Sequence, residues 1–154
     1  MSDYHLPPSL QGYERSIDGW LQRFAVDNPS LEAIDRGESG EPEPRWYVRL
    51  RGEEKEHITV WFTLGQRTLR YEVYVLPAPP ENAAAVYEMA LRRNDKLVGA
   101  HFAIGVEDAI FLRGELPLTS LNEAELDRIV GSLYSYVEQS FPALLRLGFA
   151  SKFT

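Results

Sequence analysis

A chain of 154 residues with 44% hydrophobic and 25% charged side chains has the size and balance of one domain around one core, which excludes a wholly disordered polypeptide. A formal net charge of −7 repels phosphate backbones and anionic headgroups, so general nucleic-acid binding and membrane-surface binding are disfavoured. The absence of cysteine removes disulfides, thiolate nucleophiles, Fe–S clusters and cysteine-based zinc sites.

From Ser9 to Val26 the apolar residues Leu10, Tyr13, Ile17, Trp20, Leu21 and Phe24 recur at helical spacing, with Glu14, Arg15, Asp18 and Arg23 between them. The spacing predicts an amphipathic helix ending near Asn28-Pro29. A short apolar piece, Leu31 to Ile34, is a candidate start for the sheet. The segment 27–44 as a whole, with its run from Arg36 to Pro44, reads as an exposed acidic loop inside a single domain spanning 1–154. Period-2 alternation then runs through three segments, carried by Trp46, Val48 and Leu50, by Ile58, Val60, Phe62 and Leu64, and by Leu69, Tyr71, Val73 and Val75. The separators Gly52 to Lys55 and Gly65 to Arg67 are short enough for hairpins.

Pro77-Ala78-Pro79-Pro80 stops the third strand. A second helix is expected from Glu81 to Asn94, burying Val86, Ala90 and Leu91. Leu97 to Ile104 and Ala109 to Glu115 read as a further hairpin about the turn Gly105 to Asp108. Ser120 with Glu123, and Asn122 with Glu125, have capping-box spacing ahead of a last helix through Leu126, Ile129, Val130, Leu133, Tyr136 and Val137. After Ser140, the apolar stretch Phe141 to Phe149 is expected to dock on the body or on a partner. The order is α-β-β-β-α-β-β-α, an α+β fold with a twisted antiparallel sheet packed with helices.

Linear signatures of chemistry are missing. His5, His57 and His101 lie far apart without metal-ligand spacing, so no metal site and no cofactor are expected. Glu53, Glu54 and Glu56, like Glu107 and Asp108, fall on turns and read as solvated charges rather than a general acid/base pair. Asp35, Glu38, Glu41 and Glu43 lack the order of a calcium loop and read as a solvated loop. No phosphate-binding glycine loop and no serine elbow occurs, and no catalytic residue is assigned. One constellation stands out on the polar face of the first three strands: Tyr47, Arg49, Trp61, Arg70, Glu72 and Tyr74 mix aromatic and guanidinium groups as contact surfaces do. Cross-strand pairs that merely stabilise a solvent-facing sheet, or a face covered by a helix, account for it equally well.

Leu91-Arg92-Arg93-Asn94, then Leu97, Gly99, Phe102 and Ile104, then Ile110, Leu112, Gly114 and Leu116-Pro117-Leu118, then Glu125-Leu126-Asp127-Arg128 and Leu147-Gly148-Phe149 follow an ordered pattern. Together with Trp46 to Leu50 and Trp61 to Leu69, this pattern resembles the YbjN family of type III secretion chaperone-like proteins. The resemblance implies a chaperone-like α+β fold, a small acidic homodimer and a partner held along surface grooves without covalent chemistry, with regulatory roles suggested. It supplies no catalytic residues. The apolar stretch after Ser140 adds to the expectation of a homodimer.

The leading expectation is therefore a non-enzymatic protein-binding module with an unidentified protein partner, using Tyr47, Arg49, Trp61, Arg70 and Tyr74. The alternative is a small-molecule or nucleotide-binding regulator with a pocket between helices and sheet. The opening MSDYHLPPSL has neither a basic nor an apolar leader region, and no window approaches the ~20 apolar residues of a membrane span, so a cytoplasmic location is expected.

Overall fold

A computed structural model describes residues 10–38 and 41–153. His5 lies outside the described residues. Among the described residues three α-helices, α1 (Leu10–Asp27), α2 (Ala83–Arg93) and α3 (Glu123–Gly148), accompany six strands: β1 (Leu31–Arg36), β2 (Arg45–Arg51), β3 (His57–Leu64), β4 (Thr68–Leu76), β5 (His101–Ile104) and β6 (Ile110–Pro117). The strands form one sheet in the order β1-β2-β3-β4-β6-β5, with every neighbouring pair antiparallel. The class is α+β, as the sequence implies.

Strict alternation in β2, β3 and β4 sends one set of side chains inward. Trp46, Val48, Leu50, Ile58, Val60, Phe62, Leu69, Tyr71 and Val73 are all buried, and α1, α2 and α3 close over them with Ile17, Leu21, Val86, Leu126, Leu133, Val137 and Leu144 in the same cluster. Burying a large apolar side chain contributes about 1.5–3 kcal/mol, so this single cluster is the main source of stability. The tie between α1 and the sheet is partly polar: the Trp46 indole donates to Asp18 Oδ1 at 2.8 Å, and the Tyr13 hydroxyl donates to the Leu118 carbonyl at 3.0 Å.

Several boundaries differ from those the sequence implies. Leu31–Arg36 is a full strand paired to β2, with a register irregularity between Leu31 and Ala33, so the order gains a strand and the loop is shorter than 27–44. That irregularity hides the period-2 signal. β5 begins at His101 and not at Leu97. The chain at Gly99 adopts φ +77, its carbonyl accepts from the Tyr71 hydroxyl at 2.6 Å, and the Tyr136 hydroxyl contacts both backbone polar groups of Val98. Side-chain hydroxyls thus replace the ladder there. Leu91, expected in the core, is 66% exposed, because α2 turns Val86 and Ala90 inward instead.

The stretch after Ser140 is not a separate segment. α3 runs on through Pro142 to Gly148, burying Leu144 and Gly148. A proline inside a helix removes one backbone bond, and the packing of Phe141, Leu145 and Leu147 against the core sustains the helix across it. These apolar residues serve the chain's own core and so do not argue for a homodimer.

The β2–β3 hairpin is clamped by α3. Glu138 accepts from the backbone N–H of Glu53 at 3.1 Å and of Glu54 at 2.7 Å, and the Tyr134 hydroxyl donates to the Arg51 carbonyl at 3.1 Å. Gly52 is required at this turn, since a Cβ would stand 2.0 Å from the Lys55 carbonyl oxygen and 2.2 Å from Glu138.

Candidate functional site

The second face of the sheet carries the other half of each alternating strand. Tyr47, Trp61, Glu72, Arg113 and His101 are successive register partners across β2, β3, β4, β6 and β5. Strands lie about 4.8 Å apart, so this row runs roughly 19 Å across the sheet. A neighbouring row comprises Arg45, Thr63, Arg70 and Glu115. Between them lies a trough of about 470 Å³.

The aromatic groups are arranged edge to face. Tyr47 and Trp61 have ring centroids 5.6 Å apart at 82°, and Tyr74 meets Phe111 at 5.4 Å and 86°. Trp61 and Tyr74 remain 37% and 39% exposed. Phe111 sits on the same face yet is only 3% exposed. It is covered by Tyr74, by the Arg113 guanidinium 4.5 Å from its centroid, and by the Gly105 backbone, where a Cβ would meet the ring at 2.4 Å.

Four arginines of this face each meet a carboxylate. Arg113 bonds Glu72 at 2.8 Å and Arg70 bonds Glu43 at 2.7 Å; Arg45 lies 3.4 Å from Glu41 and Arg49 3.6 Å from Glu32. The hydrogen bond from Arg70 to Glu43 raises the arginine's pKa above its ordinary value, against partial burial. Glu41 and Glu43, expected to be solvated, are instead drawn onto the sheet.

The trough gathers Tyr47, Trp61 and Arg70 of the expected residues, together with Glu72, but not Arg49 or Tyr74. Arg49 lies toward the β2–β3 hairpin, where His57 Nδ1 and Glu32 Oε1 are 2.8 Å apart. Sequence reasoning did not single out Arg45, Thr63, Arg113 and Glu115. Arg113 and Glu115 alternate properly in β6, but which strand neighbours β4 is a long-range fact with no local signal. His101, to which the sequence gives no metal-ligand spacing, lies on the sheet face opposite Arg113 and lines the trough.

Chemically, the face can stack flat groups, exchange ion pairs and offer polar groups to an extended chain. Glu53, Glu54, Glu56, Glu107 and Asp108 are exposed on turns, as their positions suggest. Between helices and sheet, where a small-molecule pocket is the alternative expectation, a groove of about 480 Å³ separates α1 from β1. Of its polar groups, Asp18 holds both Trp46 and Arg36. A smaller apolar groove of about 180 Å³ lies between α2 and β5, beside exposed Leu91 and Ile104. Among the described residues no helix is long and apolar enough to cross a membrane, and no three His, Asp or Glu side chains group as metal ligands.

Fold and face together define an α+β protein whose antiparallel sheet packs its helices on one side and presents an aromatic, ion-paired surface on the other. The chain belongs to the YbjN family, described as "Putative bacterial sensory transduction regulator", whose sequence model matches residues 16–146. It is 33% identical over 127 residues to Uncharacterized protein Rv0487 of Mycobacterium tuberculosis and to Uncharacterized protein Mb0497 of Mycobacterium bovis, covering 82% of this chain and 69% of each relative. Uncharacterized protein ML2442 of Mycobacterium leprae is 33% identical over 107 residues, covering 70% of this chain and 58% of that protein.

Proposed function

We propose that the protein is a non-enzymatic, chaperone-like or regulatory binding module whose open sheet face receives an extended segment of another polypeptide. The observation that carries this reading is the row of Tyr47, Trp61, Glu72, Arg113 and His101 beside a trough, with Trp61 and Tyr74 more than a third exposed. Exposed aromatic rings interleaved with arginines are enriched at binding surfaces. Membership of a family described in terms of sensory transduction is consistent with a regulatory role.

A photocrosslinking side chain placed at Trp61 and, separately, at Gly131 tests it in the living cell. Gly131 lies on α3 with nothing within 4 Å of its Cβ position, so it samples an unrelated surface. A defined protein captured from position 61 and not from 131 supports the reading; identical captures from both positions reject the sheet face.

Self-association into a homodimer belongs to the same reading, with exposed Leu91 and Ile104 beside the α2–β5 groove as its site. Light scattering checks it: the mass of two chains, reduced to one by Leu91→Asp with Ile104→Asp, is the expected result, and the mass of one chain for the wild type rejects it.

A further inference from the structure

The acidic residues drawn onto the sheet indicate what the open face takes. Arg45 and Arg70 flank Thr63 in one cross-strand row, so their backbones lie two strand spacings, or about 10 Å, apart. Both guanidinium groups are met by carboxylates two residues apart in the chain: Glu41 stands 3.4 Å from Arg45, and Glu43 accepts from Arg70 at 2.7 Å. The segment between them is Glu41-Pro42-Glu43-Pro44, in which each glutamate precedes a proline and is biased toward extended backbone. It enters the sheet where the Leu64 N–H donates to the Pro44 carbonyl at 2.9 Å.

Without those two glutamates the row would hold two guanidinium groups against the single carboxylate of Glu115, because Arg113 is already held by Glu72. That end of the face would be locally cationic on a chain of net charge −7. The Tyr47–Trp61 pair lies beside it as an apolar platform of the kind that receives prolyl and other flat side chains.

We propose that the open face binds an acidic, extended peptide segment of a partner, and that Glu41-Pro42-Glu43-Pro44 occupies the arginine end of the site until such a segment displaces it. The proposal rests on the sheet-face reading and adds the chemistry of the partner. Each guanidinium exchanges one carboxylate for another, and because both are about half exposed the exchange carries little desolvation cost. The internal segment competes at a tethered effective concentration of roughly millimolar order, which weakens an external acidic peptide and protects the face from casual anions.

The test is fluorescence anisotropy with short labelled peptides of alternating Glu and Pro, Lys and Pro, or Gln and Pro, titrated with the full chain at low and moderate salt. The Glu/Pro peptide is expected to bind in preference to the other two. Its affinity should rise about threefold to tenfold in Glu41→Gln with Glu43→Gln, where the internal competitor is gone, and fall at least about tenfold in Arg45→Gln with Arg70→Gln. Circular dichroism spectra unchanged across these surface variants confirm that the fold is kept. Preference for the Lys/Pro or Gln/Pro peptide, lost in Trp61→Ala, overturns the acidic assignment and leaves the sheet face standing. Binding of all three peptides untouched by Trp61→Ala removes the sheet face as well. An acidic peptide that binds wild type and Glu41→Gln with Glu43→Gln equally overturns the displacement, and failure of the latter variant to bind it overturns the proposal entire.

Discussion

The side-chain amide of Asn94 pairs with the backbone of Phe102 as another strand would: Oδ1 accepts from the Phe102 N–H at 2.6 Å, and Nδ2 donates to the Phe102 carbonyl at 3.3 Å. β5 is an edge strand of the sheet, and an edge presents unpaired backbone groups that invite association with other chains. Asn94 satisfies both groups at the centre of a strand only four residues long.

Replacing Asn94 by Ala should lower stability by about 1–3 kcal/mol, since two hydrogen bonds to a half-buried backbone are lost together. Exposing the edge should also raise the apparent mass in light scattering as concentration increases. Asn94→Asp keeps the acceptor and loses the donor, so its urea midpoint should lie between the two. A midpoint and a mass for Asn94→Ala equal to those of wild type would remove the edge-closing role.

Two glycines should respond in opposite directions. At Gly114 a Cβ would stand 2.3 Å from the Gly99 carbonyl oxygen and 2.5 Å from the Tyr71 ring, whereas at Gly131 nothing lies within 4 Å. Gly114→Ala forces backbone and ring apart and should destabilise by about 3 kcal/mol or more. Gly131→Ala sits in the interior of α3 and should stabilise by roughly 0.5–1 kcal/mol. Urea denaturation of the two variants side by side decides it, and a stable Gly114→Ala would mean that the 97–100 crossing is looser than its contacts indicate.

Much of this fold is legible because its central strands obey period 2 so strictly that Trp46, Val48, Ile58, Val60 and Val73 all point inward. The capping signal was equally readable: of the two candidates, Asn122 is the cap, its Oδ1 accepting from the Glu125 N–H at 2.9 Å. What resisted reading depends on distant partners. β5 starts late because Tyr71 and Tyr136 hold the chain at Gly99 and Val98, and neither tyrosine is near it in sequence. The site was half legible for the same reason. Tyr47, Trp61, Arg70 and Glu72 lie on adjacent hairpin strands whose register follows from short turns, but Arg113 joins them only because β6 inserts beside β4.

Tyr71 gives the stability a signature at alkaline pH. Burial raises its hydroxyl above the ordinary tyrosine value, with Arg128 opposing and Glu125 and Glu115 adding to the shift. The folded chain therefore keeps a proton that the unfolded chain releases above about pH 10. Its contribution is complete below that pH and is lost as pH climbs through the raised folded value. Tyr134 shifts the same way, while desolvation lowers the Lys55 pKa and acts in the opposite sense, so wild type must be compared with Tyr71→Phe at each pH. The advantage of wild type at pH 8, due to the bond to Gly99, should shrink at pH 11. A gap that stays constant across this range would show that Tyr71 titrates alike in both states.

Pro142 is the remaining local contradiction, a helix breaker inside α3. The proline withholds one backbone donor and crowds the preceding turn, a penalty of about 3 kcal/mol relative to alanine in a helix interior. Some of that is offset because proline also restricts the unfolded chain. Pro142→Ala should therefore stabilise by about 1–2 kcal/mol if α3 merely tolerates the proline. The end of the helix has a second duty, however: the Leu147 carbonyl accepts from Asn82 at 2.9 Å and the Gly148 carbonyl from the Glu81 N–H at 3.2 Å, which fixes the start of α2. A bend at Pro142 would aim those carbonyls, and straightening it would loosen both bonds. The packing of Leu144 and Gly148 on the core holds the last turns in place regardless of residue 142, so the stabilising outcome is the one expected. A lowered urea midpoint in Pro142→Ala, together with loss of hydrogen-exchange protection at Glu81, would show that the proline is there to steer the helix.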